Sequence, residues 1–135
     1  MTNLVVGMDG TTTSWRALSM ALGMAARDGA QVHVSCVLHV PAMAEMGAFA
    51  MPIPPPLDDE DNSFERDVQN ELVNAGVVGE FTYRKGDVAP QLEALAETCR
   101  ADLIVVGRSR HPALHLGGVP RKLLAMGRRP VLVVP

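Results

Sequence analysis

Two glycine-containing segments have residue types that could hold a small anion. The first is Asp9-Gly10, directly after the apolar residues 4–8, and the second runs from Gly107 to Gly118. Glycines let backbone N–H groups approach an anion closely, and a helix N-terminus adds the positive end of its dipole. The two segments therefore indicate a site for a phosphate or a similar anion.

Basic side chains are concentrated in the last quarter of the chain, where residues 103–135 contain no Asp or Glu. Their field favours an anion even though the whole chain has a net charge of -3. Some of them could bind phosphate through the side chain, others could face solvent, and Arg128 and Arg129 could simply be helix-end charges. The basic residues are Arg108, Arg110, Arg121, Lys122, Arg128 and Arg129, with His111 and His115.

The sequence lacks the motifs that metal binding and several kinds of catalysis require. His111 and His115 are four apart, but Pro112 intervenes and the Glu of an H-E-x-x-H motif is absent, so we predict no metal site. The chain has no G-x-S-x-G, G-x-G-x-x-G or Walker lysine, and Asp9 lacks the paired acid of a receiver domain. No nucleophile has a visible base, which favours a binding protein over an enzyme, with slow nucleotide hydrolysis left open.

Apolar periodicity predicts the elements that position these segments. Three strands are continuous apolar runs, which is typical of strands covered by helices on both faces. Between the strands the period changes to 3.6, and alternating strands and helices predict a parallel sheet with right-handed crossovers. The predicted strands are 4–8, 32–40, 81–83, 103–106 and 131–134, and the predicted helices cover 15–26, 64–75, 88–99 and 119–124.

Capping signals delimit these helices. Residues 11–14 form a cap region for the first helix, although Asp9 is itself a candidate turn or N-cap residue. Asp87 is a plausible N-cap of the third helix, and Gly29 and Gly127 follow the first and fourth. Asp9 thus has two open interpretations, a ligand contact or a structural turn.

Length and composition predict one globular domain over residues 1–135, because 47% of the residues are hydrophobic and 20% are charged. Cys36 and Cys99 lie inside apolar patterns and form no C-x-x-C pair, which fits a reducing cytoplasm. No leader pattern and no apolar run of about 20 residues is visible. We therefore expect neither a membrane nor a nucleic acid as partner.

One segment, residues 41–57, is rich in Met, Ala and Pro. It is too apolar for a free linker and too rich in Pro for a regular element. It is either a crossover loop, which we favour, or a lid or partner-binding loop that uses adaptable methionines.

Five segments in order along the chain resemble the universal stress proteins. Each is short, but five in the correct order are specific, and together they span nearly the whole chain. They are Leu4–Gly10, Ala25–Val34, Gly86-Asp87, Ala101–Gly107 and Pro130–Val134. The resemblance implies a small cytosolic stress-response or regulatory binding module.

The resemblance also implies an architecture. The five-stranded parallel sheet would have the order 3-2-1-4-5 with helices on both faces, which places the reversal of winding beside Asp9 and Gly107. Homodimers would form through the last strand, Val131, Leu132, Val133 and Val134. As a long apolar edge strand, this segment also has a physical reason to find a partner.

In nucleotide-binding members the fourth strand is followed by G-x2-G-x9-G-[S/T], and here the motif is degenerate. Arg110 replaces the second glycine, Gly118 lacks the hydroxyl, and only 10 positions separate Gly107 from Gly117 where the motif has 13. The resemblance implies ATP or another adenine nucleotide, bound weakly or in an altered mode, with magnesium only if ATP binds. The alternative is a dimeric interaction module without nucleotide. The implied contacts are Asp9, Val37, Val106, Gly107, Arg110, Gly117, Gly118 and Val119.

Overall fold

The computed structural model describes residues 1–38, 63–108 and 118–135. Strands and helices alternate along these residues, as the periodicity predicts. The strands are β1 Asn3–Gly7, β2 Gln31–Leu38, β3 Gly79–Lys85, β4 Leu103–Gly107 and β5 Val131–Val134. The helices are α1 Thr12–Asp28, α2 Ser63–Asn74, α3 Val88–Cys99 and α4 Val119–Met126.

The five strands form one sheet in the order β3-β2-β1-β4-β5, and every neighbouring pair is parallel. The predicted fold class and strand order are confirmed. Leu4 of β1 is aligned with Val32 of β2 on one side and with Leu103 of β4 on the other. The carboxyl ends of β1 and β4 are therefore neighbours at the point where the winding reverses direction. We call the place beyond these two strand ends the crevice.

Two apolar clusters cover the two faces of the sheet. On one face α1 and α2 bury residues such as Leu18 and Val68 against the even-numbered side chains of β1. On the other face α3 and α4 bury residues such as Leu92 and Leu123 against Val5 and Ile104. Burial from both sides explains why β1 and β4 are continuous apolar runs.

The helix starts confirm two predicted caps in position, Thr11 from the cap region 11–14 and Asp87, and exclude Asp9 as an N-cap. Thr11, rather than Asp9, is the N-cap of α1, because its Oγ1 accepts a hydrogen bond from the Ser14 amide at 3.3 Å. Asp87 occupies the N-cap position of α3 but makes no capping hydrogen bond. Its carboxylate instead lies 3.6 Å from Lys122 Nζ, which joins the starts of α3 and α4.

Strand β3 is longer than predicted, because only residues 81–83 form an apolar run whereas the strand covers Gly79–Lys85. It lies at the edge of the sheet, where polar side chains such as Glu80 and Arg84 are tolerated. At its start, a Cβ on Gly79 would be 2.4 Å from the carbonyl oxygen of Val32. The predicted end of β2 at residue 40 and the Met- and Pro-rich segment lie outside the described residues.

Candidate functional site

Asp9 closes a tight turn between β1 and α1. Its Oδ1 accepts hydrogen bonds from the Thr11 amide at 3.0 Å and from the Thr11 hydroxyl at 2.6 Å, while Gly10 takes a positive φ of 83°. These contacts fix the carboxylate at the exposed end of β1. The turn role is thus realised, and among the described residues no donor bonds to Oδ2.

Gly107 ends β4 beneath the first turn of α1. A Cβ at this position would be 2.5 Å from the Thr13 carbonyl carbon and 2.7 Å from the Ser14 nitrogen. The Thr13 hydroxyl also donates to the carbonyl oxygen of Arg108 at 2.9 Å. Helix packing therefore requires a glycine here, a reason that the sequence did not distinguish from a ligand contact.

The apolar members of the predicted site come together on the α3 face of the sheet. Val106 is buried, and Val37 and Val119 are half-buried against the same cluster. Val37 comes from the end of β2 and Val119 from the start of α4, so the three side chains reach this cluster from three elements.

The start of α4 borders the same apolar cluster through Val119. Gly118 is its N-cap and has no side chain to cap the helix, and a proline follows in the first turn. Within the described residues no side chain caps the first amides of α4, and proline lacks one of these donors. The remaining predicted contacts, Arg110 and Gly117, and the histidines His111 and His115 lie outside the described residues.

The basic residues of the tail do not act as one group. Arg129 donates from Nε to Glu93 at 3.0 Å and from Nη2 to Glu97 at 2.8 Å, and its Nη1 reaches the carbonyl oxygens of Ala96 and Ala101. Arg129 is a helix-end charge, as the sequence indicates, but it lies at the C-terminal end of α3, where it donates to the carbonyl oxygen of Ala96. Its charge is used by two carboxylates rather than by the crevice.

Cys36 is a residue near the site that sequence reasoning missed. It neighbours Val37 on β2 but packs into the α1 cluster on the opposite face. Burial raises the pKa of its thiol, and the negative charge of Asp9 raises it further. Both causes favour the protonated thiol over the thiolate.

No group of three or more His, Cys, Asp or Glu side chains is placed to hold a metal ion within residues 1–38, 63–108 and 118–135. In the same part of the chain, no helix has the length and apolar character needed to cross a membrane.

Comparison with known proteins gives a consistent result. The model of the "Universal stress protein family" matches residues 1–135. A universal stress protein of Mycobacterium tuberculosis H37Rv is 33% identical over 96% of this chain, which spans only 43% of that relative's length. The chain thus covers less than half of the curated relatives that it matches.

Solved structures agree with the fold over the full chain. A universal stress family protein from Burkholderia pseudomallei has a TM-score of 0.72 and 27% identity, with 99% of this chain and 96% of that chain covered. A universal stress protein crystallised in complex with cAMP has a TM-score of 0.74 and 26% identity, with 99% and 97% covered.

Proposed function

The chain belongs to the universal stress protein family, and we propose that it binds an adenine nucleotide in the crevice between β1 and β4. The observation that carries this proposal is the strand order, which makes the ends of β1 and β4 neighbours at the switch point where open α/β sheets bind ligands. The related protein in complex with cAMP supports an adenine nucleotide as the ligand class.

In this proposal the nucleoside lies towards β2 and the phosphate towards α4. Val37 contacts the base, and the fixed carboxylate of Asp9 accepts from the ribose hydroxyls. Val106, Gly107, Gly118 and Val119 face the phosphate side, where the first amides of α4 supply donors.

The proposed nucleotide-binding mode differs from that of the family motif at the phosphate end of the ligand. Arg110 and Gly117 are the remaining proposed contacts there. Gly118 offers no hydroxyl, and Arg110 occupies the position of the second glycine in the motif that the resemblance implies. Because a guanidinium can bind phosphate bidentately, Arg110 replaces backbone contacts with side-chain contacts. Magnesium enters only as the companion of ATP.

The same proposal describes the whole chain as one domain, residues 1–135, that binds a ligand rather than converting it. We propose a homodimer formed through β5, whose backbone has an unpaired edge within the described sheet. Both cysteines are free thiols, which supports the reducing cytoplasm as its location.

Titration calorimetry with AMP, cAMP and ATP tests the binding proposal, with the fluorescence of Trp15 as a second readout because it is the one tryptophan of the chain. Asp9→Asn should weaken binding because it removes the charge while an amide oxygen can still accept from Thr11. Asp67→Asn, an exposed acid on α2, is the matched control and should bind normally. Absence of heat with all three nucleotides would favour the interaction module.

Arg110→Gly tests the altered mode separately. If Arg110 holds phosphate, the variant loses affinity for AMP and ATP while its affinity for adenosine is unchanged. Tighter binding of AMP by the variant would mean that the arginine obstructs the phosphate, and the side-chain mode would be wrong.

A further inference from the structure

Arg84 lies beside the proposed base contact and is held in place. Its Cα is the direct cross-strand partner of Val37, so both side chains leave the sheet on the α3 face. Its Nε donates to Gln91 Oε1 of α3 at 3.1 Å. Gln91 is itself fitted against Gly86, where a Cβ would lie 3.2 Å from the Gln91 amide nitrogen.

The guanidinium of Arg84 is held in position without being neutralised by a carboxylate of the described residues. Within the described residues no carboxylate forms an ion pair with Arg84, whereas Arg129 is paired with Glu93 and Lys122 with Asp87. A neutral amide thus orients the guanidinium, and its terminal Nη1 and Nη2 donate to no residue in that part of the chain. Within residues 1–38, 63–108 and 118–135 these nitrogens are a pair of parallel donors with no bonding partner.

The orientation of the bound nucleotide determines which of its atoms the Nη1 and Nη2 donors of Arg84 contact. In the proposed site the phosphate lies towards α4 and β4, so a base that contacts Val37 of β2 would turn its outer edge towards β3 and Arg84. Two parallel donors match two adjacent acceptors, which guanine presents as O6 and N7. Adenine presents an N6 donor beside N7 and cannot accept both bonds.

We propose that Arg84 reads the base edge and extends the ligand class of the crevice to guanine nucleotides, an inference that rests on the proposed nucleotide site. Gln91 is the positioning residue that holds Arg84 by its Nε. The role is one of base selectivity, because phosphate binding lies at the other end of the crevice.

Calorimetry with GMP and AMP on the full chain tests this inference. The wild-type protein should bind GMP at least as tightly as AMP, and Arg84→Ala should lose about ten-fold or more of its GMP affinity, the usual scale for a bidentate base contact. Its AMP affinity should barely change. Lys85→Ala removes one charge from the same strand on the opposite face and should leave the GMP to AMP ratio unaltered.

Gln91→Met gives a second variant that keeps the arginine. It removes the acceptor of the Arg84 Nε hydrogen bond, so the guanidinium loses its fixed position and the affinity for GMP should fall while that for AMP is unchanged. If AMP binds but GMP does not, or if Arg84→Ala weakens both equally, the inference is overturned while the nucleotide site stands. If neither nucleotide binds the wild-type protein, the site and the inference fail together.

Discussion

The first turn of α1 lies directly against the end of β4, and Gly107 is the residue that permits this contact. Gly107→Ala would place a Cβ 2.5 Å from the backbone of Thr13, so α1 or β4 must shift. We expect the free energy of unfolding to fall by about 1–3 kcal/mol, as in other overpacked sites. Urea denaturation followed by circular dichroism measures the change.

Gly23 gives the matched glycine control for this prediction. It lies in the interior of α1, and a Cβ there would meet nothing within 4 Å. Gly23→Ala should raise the free energy of unfolding by roughly 0.5–1 kcal/mol, because alanine is the better helix former. Equal stability of the two variants would mean that the contact between α1 and β4 is not tight.

The thiol of Cys36 allows a measurement of the charge at Asp9. Burial and the Asp9 carboxylate raise its pKa, and the thiolate is the reactive form, so alkylation by iodoacetamide should be slow near neutral pH. Asp9→Asn removes the second cause, which lowers the pKa and moves the pH–rate profile to lower pH. The measurement uses a Cys99→Ser background, so that only Cys36 reacts.

Asp67→Asn is again the control, since this carboxylate is exposed on α2. The profile of Cys36 should not move in that variant. An unchanged profile in Asp9→Asn as well would show that the carboxylate of Asp9 does not act on the thiol.

At the scale of the elements, the side chain of Arg129 connects the turn before β5 to the C-terminal end of α3 through ion pairs and hydrogen bonds. Glu93 is only 1% exposed and has Arg129 as its ion-pair partner in the described residues. Arg129→Ala leaves this buried carboxylate without a partner and removes two hydrogen bonds to carbonyl oxygens. We expect a loss of about 3–5 kcal/mol in the free energy of unfolding, measured by urea denaturation.

Arg128→Ala is the neighbouring control, because Arg128 is exposed and its loss should change stability by less than about 0.5 kcal/mol. The double variant Glu93→Leu/Arg129→Met should recover part of the loss, since it removes the buried charge together with its partner. A similar free energy of unfolding for Arg129→Ala and Arg128→Ala would contradict the proposal that the contacts of Arg129 stabilise the fold.

The sequence predicts elements well where local pattern decides them. β1, β4 and β5 follow from continuous apolar runs, since both of their faces are covered by helices. The ends of β3 were missed because an edge strand tolerates charged residues such as Arg84. The role of Arg129 could not be predicted, because its partners lie about 30 residues away and only the fold brings them near.

At the scale of the whole molecule, the location of the crevice depended on the family resemblance. Periodicity alone predicts a parallel sheet but not which strands are neighbours, and Asp9 and Gly107 become adjacent only in the order that the structure confirms. Arg84 was missed because it matches no motif. Its signal is the register with Val37, which a single sequence does not contain.

The exposed edge of β5 indicates how two copies of the chain assemble. In the described sheet β5 pairs with β4 alone, and its side chains at 131–133 are half-exposed valine and leucine. An apolar edge of this kind pairs with another strand when nothing covers it. We therefore expect light scattering coupled to size-exclusion chromatography to give a mass of twice 14.4 kDa.

Leu132→Lys places a charge on that edge and should shift the mass to that of the monomer, because edge lysines oppose strand pairing. Val78→Lys is the control, since Val78 is 69% exposed next to β3 at the opposite edge. It removes an exposed apolar side chain without touching β5, so the dimer should persist. A monomeric wild-type protein, or dissociation by both variants alike, would rule out assembly through β5.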